Sequence, residues 1–148
     1  MIFVEYESGQ AFPADVLERA ARAALDLSGA PDADLTIVLV DEARIQGLNR
    51  DFLDHDAPTD VLSFPADESD PETGRRYLGD VVISFERASG QARERGHAIQ
   101  AEMQLLVVHG VLHLLGHDHA DAGEKERMWA AQAEALERLG VSPKIVHE

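Results

Sequence analysis

The apolar positions of the chain change period several times, and each change marks an element. Ile2 to Tyr6 (IFVEY), a short run of β-branched and aromatic residues, reads as the first strand. Pro13 is suited to the first position of a helix, and VLERAARAALDL after it places apolar residues at helical spacing until Ser28-Gly29-Ala30-Pro31 ends the run. Leu35 to Val40 (LTIVLV) is short, β-branched and apolar throughout, which predicts a buried strand. Asp41 can cap a helix reaching about Asn49, with Glu42 near its positive end. Asp54 to Thr59 is a polar turn, and Val61 to Phe64 a strand stopped by Pro65. Residues 66–76 predict a solvated loop joining that strand to an antiparallel partner at Leu78 to Ser84.

From Phe85 onward the period is helical. One helix covers roughly Glu86 to Arg95 and breaks at Gly96. The next, about Ala98 to Leu115, is apolar on nearly every side and is therefore expected at the centre of the fold. Asp121 and Glu124 have capping-box spacing and open a last helix ending near Gly140. The order β-α-β-α-β-β-α-α-α predicts an α+β domain with a small mixed sheet, one domain over 1–148.

The central helix carries an anomaly. VVHGVLHLLGHDH, 107–119, holds four of the seven histidines. His109 and His113 are four apart and project from one helical face. Gly116 can then stop the helix in a left-handed turn, so that the chain doubles back and delivers His119 to the same ion. Three neutral imidazoles with water in the fourth tetrahedral position make a catalytic zinc arrangement, with Zn–N bonds of about 2.0–2.1 Å. Asp118 is the nearest group able to close that position. Had the helix run on past Gly116, His117 would take the place of His119. Histidines in this number without a metal would instead need several buried hydrogen-bond partners. His55, His97 and His147 are scattered and read as surface or capping residues.

Composition narrows the chemistry. The absence of cysteine rules out a thiolate site or disulfides and fits a cytoplasmic protein, and no secretory pattern or membrane-length apolar run is visible. The net charge of −15 argues against a broad nucleic-acid-coating role. H-x-x-x-H-x-x-G-x-x-H also describes the metzincin protease motif, but that motif needs a general-base glutamate where this chain has Gly110. Met128 lies in a helical pattern and reads as core rather than as a Met-turn.

HGVLHLLGHDH at 109–119, APTDVLSFP at 57–65, LGDVVIS at 78–84 and the Asn49…Phe52 segment together resemble the YbeY family, over about residues 36–135. The resemblance implies a zincin-like α+β fold and one Zn²⁺ ion on His109, His113 and His119. It also implies single-strand-specific endoribonuclease activity in 16S rRNA 3′-end maturation and ribosome quality control. Expected partners are ribosomal RNA, the small ribosomal subunit and a ribosomal protein or GTPase. The family commonly has tyrosine where this chain has His117, and arginine where it has Leu53.

Arg50, three residues before Leu53, is a candidate to replace that arginine at the phosphate. Asp60 and Asp80 are candidates for orienting a histidine or acting as a base, against plain roles as a turn cap and a strand-entry contact. Arg87 and Arg93, with Arg95, Arg44 and Arg50, could form a positive rim for RNA, although interleaved Glu86 and Glu94 equally suit solvated helix faces. The competing functions are a metzincin-type protease and a non-catalytic, metal-stabilised ribosome assembly factor.

Overall fold

The computed structural model describes residues 1–7, 9, 11–117 and 121–142. Its elements are β1 (Ile2–Tyr6), α1 (Ala14–Leu27), β2 (Asp34–Val40), α2 (Glu42–Leu53), β3 (Val61–Ser69), β4 (Arg76–Ser84), α3 (Phe85–Arg95), α4 (Ile99–Leu114) and α5 (Ala122–Arg138). The strands lie in the order β1-β2-β4-β3; β2 pairs in parallel with β1 and β4, and β3 runs antiparallel to β4 at the edge. The domain is α+β with a mixed sheet, as the periodicities predict.

The two faces of the sheet are covered unequally. Leu35, Ile37 and Leu39 of β2 and Val81 and Ile83 of β4 join the main core with α1, α4 and α5. Val38, Val40, Leu62 and Val82 point the other way and pack with Ile45 of α2. Strand β2 is thus buried on both sides, the physical reason its apolar run has no alternation. Helix α4 is the central element, packing on α1, α3, α5, β3 and β4. Each fully buried side chain such as Met103 or Leu112 contributes about 1.5–3 kcal/mol.

Several boundaries differ from the sequence expectation. Pro13 precedes α1 as its cap rather than opening it. Helix α2 runs on to Leu53, ended by Asp54 in a left-handed conformation at φ 60°. Strand β3 does not stop at Pro65 but continues to Ser69, with a register shift between Pro65 and Glu68. The start of the expected loop at 66–76 is therefore strand. Ser84 donates to the carbonyl of Asp60, so even-numbered residues of β3 form the hydrogen-bonded pairs with β4. Pro65 is odd, and its missing N–H faces the open edge, where no ladder bond is lost.

Candidate metal centre

Helix α4 brings the histidines together because it is packed tightly and stopped sharply. A Cβ at Gly110 would lie 2.5 Å from Val81 Cγ1 and 3.3 Å from Ser63 Oγ, so only glycine lets the helix sit this close to the sheet. Ser63 Oγ donates to the Gly110 carbonyl at 2.9 Å, clamping β3 onto α4. The helix then ends at Gly116, φ 99°, with Gly116 N–H on the His113 carbonyl and His117 N–H on the Leu112 carbonyl. These are the two bonds of a Schellman motif. The helix does not run on, and His117 leaves the 109–113 stripe to line a separate surface pocket with Glu124 and Arg127.

His109 and His113 are half-buried, with ring centroids 4.7 Å apart and planes at 70°. Their Nε2 atoms are 3.1 Å apart. Two nitrogens on one tetrahedral zinc ion, each about 2.0–2.1 Å from it, stand about 3.3–3.4 Å apart, so the pair fits a shared ion closely. The tautomer fits as well. His109 Nδ1 lies 2.9 Å from Oε1 of Gln132 on α5, and Gln132 is 1% exposed. An amide oxygen only accepts, so Nδ1 carries the hydrogen and Nε2 keeps its lone pair for a ligand. The rings open on a cavity of about 260 Å³ whose other wall is Val61, Leu62, Ser63 and Pro65 of β3. His119 and Asp118 lie outside the described residues, and among the described residues no third His, Cys, Asp or Glu joins this pair.

The other sequence candidates are dispersed. Asp60 precedes β3 beside the cavity wall, where Oδ1 accepts from Val61 N–H at 2.8 Å and from Thr59 Oγ1 at 3.4 Å; it is a turn and edge cap, not a partner of a described histidine. Asp80 sits on the opposite sheet face, accepts from Tyr77 OH at 2.5 Å, and belongs to a groove with Glu5, Arg44 and Phe64. Burial and that bond push the Tyr77 phenol up to about 12. Asp80 therefore cannot orient His109 or His113. Arg50 is exposed on α2, also on that face, with Nε on Asp51 Oδ1 at 3.0 Å. Arg87 pairs with Glu42 at 3.1 Å, and Arg93 is exposed in the last turn of α3. None of the three lines the histidine cavity. His97, expected at the surface or in a capping role, meets the fully buried Glu102 at 2.7 Å.

Sequence reasoning missed Gln132 and Ser63. Gln132 is the one polar residue in the buried set of α5, Met128, Gln132, Ala135 and Leu136, a pattern that shows only once the docking of α5 is known. Met128 is fully buried core, as expected. Gly110 stands where the protease motif needs its glutamate, and a Cβ there would already meet Val81 at 2.5 Å.

A half-buried pair of imidazoles on a cavity beside an edge strand is a candidate hydrolase site. The chain belongs to the YbeY family: the family model described as Endoribonuclease YbeY matches residues 4–140. The match extends past both ends of the stretch in which the motifs were legible. The Endoribonuclease YbeY of Pelotomaculum thermopropionicum is 47% identical over 131 residues, 86% of each chain. That of Syntrophotalea carbinolica is 40% identical over 144 residues, covering 94% of this chain and 95% of its own. The solution structure of TM1509 from Thermotoga maritima matches with a TM-score of 0.61 at 26% identity, over 95% of this chain and 92% of that one.

Proposed function

We propose that this protein is a zinc-dependent, single-strand-specific endoribonuclease of zincin-like fold that acts in the cytoplasm on ribosomal RNA during small-subunit maturation. The observation that carries the reading is the His109–His113 pair, its Nε2 atoms 3.1 Å apart and one ring fixed by Gln132. Family membership supports the choice of RNA as substrate. His119, two residues beyond His117, is the third ligand in this reading.

When bound, the ion would supply Lewis acidity toward a phosphodiester and lower the pKa of water toward 7. The chain's own residues do the rest. With the ion bound, His109 and His113 would both turn Nε2 lone pairs toward one point, and Gln132 holds the first of them in that tautomer. The Ser63–Gly110 bond fixes the spacing of the cavity walls. Val61 and Pro65 give the cavity an apolar wall on the β3 side. An attacking 2′-hydroxyl leaves a 2′,3′-cyclic phosphate and an attacking water does not, so product end groups distinguish the two routes.

The decisive experiment measures metal content and cleavage of unstructured RNA for the native protein and His113→Ala. The native protein should hold about one zinc per chain and cleave; the variant should lose both. Equal cleavage by the two would sink the assignment. Comigration with small ribosomal subunits without cleavage would favour the assembly-factor reading.

A further inference from the structure

The wall of the cavity facing the histidines is an edge strand, and its main chain is unusual. The pairs Asp60–Ser84, Leu62–Val82 and Phe64–Asp80 are hydrogen-bonded, so the N–H and C=O groups of Val61, Ser63 and Pro65 point to the open edge. Val61 N–H is already taken by the Asp60 carboxylate at 2.8 Å. Pro65 has no N–H. In this five-residue stretch Ser63 therefore carries the one outward N–H with no partner among the described residues, with its own carbonyl beside it. The Ser63 hydroxyl is turned to the Gly110 carbonyl and leaves that amide uncovered.

We propose that the Ser63 main-chain N–H and C=O form a nucleobase site, which reads the Watson–Crick edge of an unpaired nucleotide next to the phosphate presented to the histidines. This rests on the RNA-hydrolase reading above. A base edge carries a donor and an acceptor side by side, the pattern one strand residue offers on its open side. In a duplex that edge is occupied by the complementary base, so the contact discriminates for single strands without any basic groove. A peptide adding to β3 would need the alternating donors of successive outward residues. Asp60 and Pro65 remove the donors on either side of Ser63, which blunts the edge against strand addition while leaving a single bidentate position.

The test compares native protein with Ser63→Ala, Ser63→Pro and an amide-to-ester replacement at residue 63, all brought to equal metal content. Ser63→Ala keeps the N–H and is the reference. Proline is tolerated where an edge N–H faces outward, and the ester deletes the donor without a ring should proline disturb the fold. The substrates are an unpaired RNA oligonucleotide and versions carrying one abasic position each. Relative to Ser63→Ala, the proline and ester variants should lose about tenfold in kcat/KM on the intact oligonucleotide, the scale of one base contact. That difference should vanish on the version lacking the base that is read.

Equal rates for all variants on intact RNA overturn the proposal. So does a loss that persists on every abasic version, which would assign the amide to phosphate. Competition for the edge by an unstructured peptide, abolished in the ester variant, would give the site to protein instead. If native protein with full metal cleaves no RNA, the hydrolase reading fails separately. Oligonucleotide binding by the same variants, followed by fluorescence anisotropy, then decides the edge contact by the same pattern.

Discussion

At the scale of single residues, the site depends on the His109–His113 pair, the Gln132 amide and the missing side chain of Gly110. Gln132 holds the His109 ring through Nδ1 from a position where solvent cannot substitute for it. Gln132→Leu should weaken zinc binding by about 10–100-fold, read by competition with a chromophoric chelator, while the far-ultraviolet spectrum stays native. Unchanged affinity would mean the ring is held by packing alone. Gly110→Ala forces a methyl against Val81 and should destabilise the fold by about 1–3 kcal/mol in urea titration. The histidine spacing was legible because i and i+4 neighbours on a helix are fixed by local geometry. Gln132 was not, because its meaning depends on how α5 docks on α4, 23 residues further along the chain.

Among elements, the helices were the more legible, since each carries its own stop. Asp41, Ser84 and Asp121 each accept a hydrogen bond from the N–H three residues on, and Gly96 and Gly116 end their helices with positive φ. Gly116→Ala should lower stability by about 1–2 kcal/mol, the penalty for a Cβ in the left-handed region, and should loosen metal retention as well. Strand β3 was the least legible element. Proline normally stops a strand, and only knowing that β3 is the edge, and that residue 65 faces outward, reveals why it does not.

The strand ends depend on pH. Arg75, just before β4, donates to Asp34 at the start of β2 through Nε at 3.1 and 3.2 Å, and the N-terminal amine joins them. The Arg75 bond holds the Asp34 carboxyl down at about 2. The folded value lies below the unfolded one of about 3.9, so the stabilisation is complete above pH 4–5 and is lost as pH falls toward 2. Asp34→Asn should flatten that part of the stability curve, followed by urea titration between about pH 5 and pH 2.

Over the whole molecule, charge and function pull in opposite directions. The chain carries −15, and most of its arginines are already engaged: Arg19 with Asp15, Arg44 with Glu7, Arg50 with Asp51, Arg75 with Asp34, Arg87 with Glu42 and Arg138 with Glu134. The positive rim considered from sequence does not form around the histidine cavity; composition gave the net charge, but pairing depends on which helices face each other. RNA must approach a like-charged surface. Its KM should therefore fall as monovalent salt rises from about 10 to 150 mM, which shortens the screening length from about 30 to 8 Å. This is the reverse of the behaviour of a basic nucleic-acid binder, and a KM that rises over this range would indicate a cationic track in the bound state.

Because the two imidazoles grow from the helix against which α1, α3, α5, β3 and β4 all pack, the donors cannot swing free while the interior stays intact. Warming should therefore expel the ion and melt the protein in a single event, with a zinc-sensitive dye and ellipticity tracing superimposable curves. For a cell under heat stress, the nuclease would switch off by coming apart, not by shedding its metal and persisting as an inert shell.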